Sequence, residues 1–290
     1  MDGKVYKNES FKNYAGFGGR SVEELQGYRE LGKSLTEILR LQYFPLAVRL
    51  VEREGEFPER TRRPSFLNMR ITMCQGFAMS RRIGWTVGLR ADDMKCTPNL
   101  IAYGFAELED RNAFKEAFTE AFRAMNYYET DEIAEKAVSG MPHLEPGRYK
   151  GVAVSPLGWT RITPDLALIY CNSAQAMRLI QATVYKTGER VTTPLSGLVA
   201  SCIEGALRTF LTKKPGLVVP GAGDRAFGTT QDHELAFTIP KEMIGDVTGA
   251  LRKAGYEKGV RYPTPTSITE PQMTPEAWTM LESKVKRKTL

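Results

Sequence analysis

The chain alternates between amphipathic stretches and short apolar runs. The first helical stripe contains Leu25, Tyr28, Leu35, Ile38 and Leu39. Candidate strands are the apolar runs "PLAVRL", "WTVGL", "GVAVSP", "DLALIY", "LVV" and "ELAFTI", with helical patterns between most of them. The run "PDLALIYCN" is almost continuously apolar, which is typical of a strand buried on both faces. This order predicts an α/β (α+β) fold, with a mixed sheet and helices on its faces.

The two halves of the chain share a weak internal repeat. Each half gives a strand, a cysteine-bearing helix and a second strand, with "CQGFA" at Cys74 matched by "CIEGA" at Cys202. Two pseudo-duplicated strand–helix–strand halves would bring these cysteines to one interface. We assign 1–145 to an N-terminal half with Cys74 and Cys96, 146–262 to a C-terminal half with Cys202, and 263–290 to an irregular tail. The two halves are compatible with one intimate domain.

Composition and charge argue against several classes of protein. Hydrophobic residues make up 42% and charged residues 26% of the 290 positions, as in ordinary globular proteins. The chain has neither a secretory pattern at its start nor an apolar run of about 18 residues, so we expect a cytoplasmic protein without a membrane partner. The net charge is +6, but no nucleic-acid-binding module is recognisable. A small anionic molecule is the expected partner, and a homo-oligomer is compatible with the sequence.

Cysteines carry the candidate chemistry. The chain has four of them, Cys74, Cys96, Cys171 and Cys202, and only two histidines, so a His-rich metal site is excluded. The cysteine spacing matches no compact C-x-x-C motif, and a cysteine in a helical stripe usually acts as a small apolar residue. Cys96 differs because it lies in the polar stretch "ADDMKCTPN".

A glycine-rich turn, "GAGDRAFG", follows a predicted strand at Gly221. It has no lysine and no following helical pattern, so it is not a phosphate-binding loop of the P-loop type. Its backbone could form an anion-binding nest to which Arg225 adds charge. A plain tight turn is the simpler alternative.

An ordered set of segments resembles the ArCR-type proteins, known as domain of unknown function 169, from about Leu39 to Ala254. The segments are "PLAVRL", "MCQGFAMSRR", the lone Cys96, "LEPGRYKGVAVSPL", "PDLALIYCNSAQAMRLIQATVYKTG", "SCIEGA", "GAGDRAFG" and "ELAFTIP". The family has no established reaction. The resemblance implies a cysteine set at Cys74, Cys96 and Cys202. Many relatives have a further cysteine where this chain has Ala222, and a small residue where it has Cys171.

Three such thiolates suit an iron–sulfur cluster. A [4Fe–4S] cluster with three cysteine ligands leaves one iron open to act as a Lewis acid. Cys171, at the carboxyl end of a buried strand where α/β folds place ligands, could supply a fourth ligand. Zinc is the rival metal.

Further residues are candidates for substrate contacts and catalysis. The predicted catalytic residues are Arg81, Arg225, Glu204 and Asp224, the last two as acid or base. The predicted substrate-binding residues are Asn172, Gln175, Arg178, Gly221 and Gly223, which offer amide groups, a guanidinium and backbone N–H groups.

The expected function is that of an iron–sulfur protein whose [4Fe–4S] cluster acts on a small anionic substrate, as a lyase or hydrolase or as an oxidoreductase. One alternative is a non-catalytic binding or regulatory protein that senses an anion at 171–178 and 221–225. The other is a thiol-redox protein that uses Cys96 as an exposed thiolate.

Overall fold

A computed structural model describes residues 22–106, 111–256, 261–263 and 276–284. Its centre is a six-stranded sheet in the order β2-β3-β1-β4-β6-β5. The strands are β1 (Leu46–Val51), β2 (Val87–Leu89), β3 (Gly151–Pro156), β4 (Leu166–Cys171), β5 (Gly216–Val218) and β6 (Leu235–Pro240).

Neighbouring strands in this sheet run antiparallel. In the middle, β1 pairs with β4 so that Leu46 lies opposite Leu168, and β4 pairs along its whole length with β6. Parallel pairing within the described residues is limited to two isolated bridges, one of which joins Ile71 to Met94.

The described part of the chain contains ten α-helices. They are α1 (Val22–Leu39), α2 (Met73–Ala78), α3 (Thr97–Ala102), α4 (Arg111–Ala124), α5 (Asp131–Ser139), α6 (Ser173–Val184), α7 (Arg208–Thr212), α8 (Ala222–Ala226), α9 (Lys241–Leu251) and α10 (Glu276–Glu282). None of them combines the length and the apolar character that crossing a bilayer requires.

The sheet separates two apolar layers. Alternate residues of a strand point to opposite faces, so in β4 Leu168 and Tyr170 join one layer while Ile169 and Cys171 join the other. Helices α1, α6 and α9 cover the Cys171 face. The opposite face is covered by α2, α3 and the segment that carries Cys202.

Both cysteine-bearing helices contain a π-helical segment. Met79–Ile83 continues α2, and Ala200–Leu207 precedes α7. In the second segment the amide of Glu204 donates to the carbonyl of Val199, five residues earlier. π turns are rare in proteins overall, and those that occur often lie at functional sites.

The strand order supports the internal repeat. On one side of the β1–β4 pair the order is β1, β3, β2, and on the other side it is β4, β6, β5. Each set of three consecutive strands, β1–β3 and β4–β6, therefore places its first strand at the centre, its third strand next and its second strand at the edge. In this grouping β3 (Gly151–Pro156) belongs with the first set, although the predicted division at 145/146 assigns it to the C-terminal half. Two related units around a two-fold axis between β1 and β4 would produce this order.

The predicted α+β fold with helices on both faces of a sheet is confirmed, although the strands of the predicted mixed sheet pair antiparallel. A helix is predicted over "SFLNMRITMCQGFAMSRRIG" (65–84). In the structure Pro64–Leu67 forms a separate 3₁₀ turn, and α2 begins only at Met73, after the N-cap Thr72. The glycine-rich segment Gly221–Gly228 itself contains a short helix, α8, where a turn without a helix is predicted. Within the predicted irregular tail the described residues include α10, and much of the remainder lies outside the described residues.

Candidate functional site

Three cysteines from separate segments converge on one face of the sheet. Cys74 lies in the first turn of α2, Cys202 in the π-helical segment Ala200–Leu207, and Cys96 directly before α3. The side chains of Cys74 and Cys202 lie within hydrogen-bonding reach of each other, and Cys96 is near enough to both for their charges to interact. We call Cys74, Cys96 and Cys202 the cysteine site.

Local hydrogen bonds fix two of these cysteines. A capping box begins α2, in which the Thr72 hydroxyl accepts from the amide of Gln75 and the Gln75 side chain accepts from the amide of Thr72. Cys74 is therefore held in a defined first turn. The hydroxyl of the fully buried Tyr103 donates to the carbonyl of Cys202 at 2.8 Å, which ties α3 to the π-helical segment.

The surroundings raise the pKa values of Cys74 and Cys96 above that of an ordinary thiol. The hydrogen-bonding interaction with Cys202 raises the pKa of Cys74 well above its usual value, and burial adds to this. Burial is the largest cause of the raised pKa of Cys96, although the amide of Asn99, 3.1 Å from Cys96 Sγ, opposes it. Because metals bind thiolates, metal binding here would release protons.

The first turn of α8 packs against Cys74. A Cβ added to Gly223 would lie 3.7 Å from Cys74 Sγ, and one added to Gly228 would lie 3.1 Å from Cys74 Cβ. Oδ2 of the buried Asp224 accepts the backbone N–H groups of Gly221 and Ser201. The N–H of Gly221, predicted to bind an anion, therefore already has an internal partner.

Arg81 is a buried structural cation of this face. It is 1% exposed and donates to Glu234 at 2.9 Å and to the carbonyl of Gly228 at 3.0 Å. Its guanidinium also lies over the ring of Tyr170, 4.0 Å from the ring centroid. The structure thus supplies protein partners for the cation that was predicted to be catalytic.

Two other predicted catalytic residues also have protein partners. Glu204 pairs with Arg208 one turn later, and burial raises the pKa of Glu204 while Arg208 opposes the shift. Arg225 is paired with the exposed Asp232. Asp224 has internal partners for Oδ2 alone among the described residues.

The structure does not bring the remaining candidates to the cysteine site. Cys171 lies in the apolar layer on the opposite face, where burial raises its pKa to about 12. Asn172 and Gln175 form the capping box of α6. The Arg178 guanidinium donates to the carbonyl of Leu251, the last residue of α9, and to the carbonyl of Ala254 just after it. It also donates to Oε1 of Gln181. The rule that suggested Cys171 concerns parallel sheets, whereas β4 has antiparallel neighbours.

Sequence reasoning missed Tyr103 and Asn99, which contact Cys202 and Cys96. Asn99 had a readable signal, since a side chain three residues into a helix can turn back to the residue before the helix. No pattern in the sequence distinguishes Tyr103 from other core aromatic residues.

The cysteine site does not have the form of a single-ion site. Among the residues that the structure describes, no group of three or more His, Cys, Asp or Glu side chains is arranged to hold a metal ion. A tetrahedral zinc site with Zn–S bonds of about 2.3 Å needs sulfur atoms about 3.8 Å apart. An iron–sulfur cluster binds its thiolates through different irons and needs a wider spacing, so Cys74 and Cys202, which lie within hydrogen-bonding reach of each other, would have to move apart to hold one.

Comparisons with known proteins give a family without a described activity. The family model of domain of unknown function 169, described as uncharacterised ArCR, matches residues 34–249. An uncharacterized protein of Methanocaldococcus jannaschii is 25% identical over 224 residues, which cover 77% of this chain and 93% of that protein. No solved structure matches the chain.

Proposed function

This chain belongs to the uncharacterised ArCR family, and we propose that its cysteine site holds an iron–sulfur cluster, of the [4Fe–4S] type, that acts on a small anionic molecule. The observation that carries the proposal is the convergence of Cys74, Cys96 and Cys202 from segments far apart in the sequence. Chance burial of small residues would not require three of the four cysteines to meet, while the fourth, Cys171, lies on the other face.

The donor set suits iron–sulfur chemistry. Thiolates are the usual ligands of such clusters. Apolar surroundings are among the factors that set the reduction potential of a cluster. Cys74 and Cys202 are almost fully buried, whereas Cys96 is partly exposed. Ligands would therefore reach the site from the Cys96 side.

Positive charge at that side favours an anionic substrate. Lys95 is exposed next to Cys96, and its amide donates to the carbonyl of Ile71, which brings the exposed Arg70 to the same region. The net charge of +6 adds a general attraction for anions. Once bound, a cluster with three cysteine ligands supplies Lewis-acid chemistry at its remaining iron, while Lys95 and Arg70 would orient the anion.

The proposal is tested by metal analysis of protein purified without oxygen. Iron, sulfide and zinc are measured with the visible spectrum for the wild type and for Cys74→Ser, Cys96→Ser and Cys202→Ser. Cys171→Ser is the matched control, because it removes a buried thiol from the opposite face. We expect about four irons per chain in the wild type and the control, and a large loss in the other three variants.

Protein that is free of iron and sulfide after anaerobic purification and reconstitution would refute the cluster. Stoichiometric zinc lost in the same three variants would instead identify the rival metal.

The contact between Cys74 and Cys202 favours one second candidate, a redox-active thiol pair. Two neighbouring thiols can form a disulfide with loss of two hydrogens to a disulfide oxidant. The raised pKa of Cys74 makes it a slow nucleophile near neutral pH. Mass spectrometry after treatment with oxidised glutathione would detect an intramolecular disulfide in metal-free protein, and its absence would eliminate this candidate.

A further inference from the structure

Asp224 has a buried carboxylate that is only half satisfied. The residue is 1% exposed, and its Oδ2 accepts two backbone N–H groups, from Gly221 at 3.1 Å and from Ser201 at 3.2 Å. Its Oδ1 is buried and has no hydrogen-bond partner among the residues that the structure describes. Burying a carboxylate oxygen without a hydrogen-bond partner costs free energy. We therefore expect Oδ1 to bind a ligand.

The carboxylate lies at the cysteine site. Its charge contributes to the raised pKa of Cys74 and to that of Tyr170. Gly223, the preceding residue, is the one whose Cβ would lie 3.7 Å from Cys74 Sγ. The hydrogen bond to Ser201 ties the same carboxylate to the residue immediately before Cys202. Asp224 thus touches the segments of two of the three cysteines.

The internal repeat places the helical turn of Asp224 at a position that corresponds to that of Cys96. In the first half the chain leaves the edge strand β2 and reaches Cys96 directly before a helix, α3. In the second half it leaves the edge strand β5 and reaches Gly221, directly before α8. The repeat therefore pairs Cys74 with Cys202, and Cys96 with the first turn of α8, where this chain offers a carboxylate and no thiol.

We propose that Asp224 Oδ1 is the fourth protein ligand of the cysteine site, so that the site is formed by three thiolates and one carboxylate. This inference rests on the proposed function. A carboxylate is a harder and more weakly held ligand for an iron–sulfur cluster than a thiolate. A small anion that enters past Cys96 could therefore displace Asp224, whereas it could not displace a fourth cysteine.

The test replaces the ligand while preserving the fold. Asp224→Asn keeps a side-chain oxygen that can accept from the amides of Gly221 and Ser201, but it removes the anionic ligand. Asp224→Cys offers a thiolate instead. Asp165→Asn is the matched control, since Asp165 is another largely buried carboxylate, bound to the amide of Leu50 and close to Arg49. Circular dichroism and thermal unfolding check that each variant is folded.

The readout is Mössbauer spectroscopy of protein reconstituted with ⁵⁷Fe and sulfide, together with iron retention during a chelator challenge. In the wild type and Asp165→Asn we expect one iron of the cluster to differ from the others because it has an oxygen ligand. Asp224→Asn should change the signal of that iron and lose iron about tenfold faster or more. Asp224→Cys should make the irons more alike and restore retention.

Two results would overturn the inference. One is an Asp224→Asn spectrum and retention equal to those of the wild type, which would refute the carboxylate ligand while leaving the cluster intact. The other is a wild type that takes up no iron, which would refute both proposals. A folded Asp224→Asn protein that loses only the signal of one iron would support both.

Discussion

Arg81 gives the sharpest prediction about stability, because its charge is buried with a single carboxylate. Its side chain is fully buried and pairs with Glu234, which is itself 4% exposed. Arg81→Met keeps a long apolar side chain but removes the positive charge. Among the described residues, the Glu234 carboxylate would then keep the hydrogen bond that its Oε2 accepts from the amide of Gln231.

These contacts set the size of the expected loss in the free energy of unfolding. Removing one partner of a buried ion pair costs about 3–5 kcal/mol. The two short hydrogen bonds of Arg81, to Glu234 and to the carbonyl of Gly228, lead to a similar figure at about 1.5–3 kcal/mol each. Since domains are stable by about 5–15 kcal/mol, Arg81→Met should remove a large fraction of the free energy of unfolding.

Urea unfolding followed by circular dichroism measures this loss. Arg82→Met is the matched control, because the neighbouring Arg82 is more exposed and donates a hydrogen bond to the carbonyl of Thr229. The control should lose less than about 1 kcal/mol. Adding Glu234→Gln to Arg81→Met removes the unpaired charge and should recover part of the loss. Equal losses in the two arginine variants would refute the reasoning.

Three further predictions concern the site and the opposite layer. Burial raises the pKa of Cys171 to about 12, against about 8.5 in an unfolded chain. Between these two pH values the native state binds more protons than the unfolded state. The free energy of unfolding therefore falls as the pH rises from about 8.5 to about 12. Cys171→Ala should flatten that fall in urea titrations at several alkaline pH values, and equal slopes would contradict this. Gly221→Ala would place a Cβ 2.0 Å from a backbone oxygen and should cost about 1–3 kcal/mol in thermal unfolding, whereas Gly223→Ala should cost little. Tyr103→Phe leaves the buried carbonyl of Cys202 without this donor and should cost about 1–3 kcal/mol, measured by urea unfolding; an unchanged midpoint would be the contrary result.

Much of the fold was readable because the strands and helices have clear apolar periods. The strand "DLALIY" is predicted from its apolar run, and the pairing of Cys74 with Cys202 from the match of "CQGFA" with "CIEGA" in the repeat. The structure brings both cysteines to one face. The face on which Cys171 lies was not readable. In a strand that is apolar on both faces, the alternation that would fix its orientation is missing.

The environment of Asp224 could not be predicted from the sequence. Asp224 was predicted as an acid or base, but its half-satisfied carboxylate depends on the amide of Ser201, which is far away along the chain. The π-helical segments were equally hidden, because a π turn changes hydrogen-bond partners without changing the apolar composition. Long-range contacts of this kind follow from packing and not from local propensity.

The position of Cys74 and Cys202 in different halves has a consequence for the unfolded chain. Any bridge between them, through a cluster or a disulfide, closes a long loop. Closing a loop of about 100 residues in the unfolded ensemble is worth about 4.7 kcal/mol, which is comparable with the whole stability of a small domain. Bridged and unbridged forms would therefore share one native fold and yet differ greatly in how readily a protease or a rise in temperature opens them.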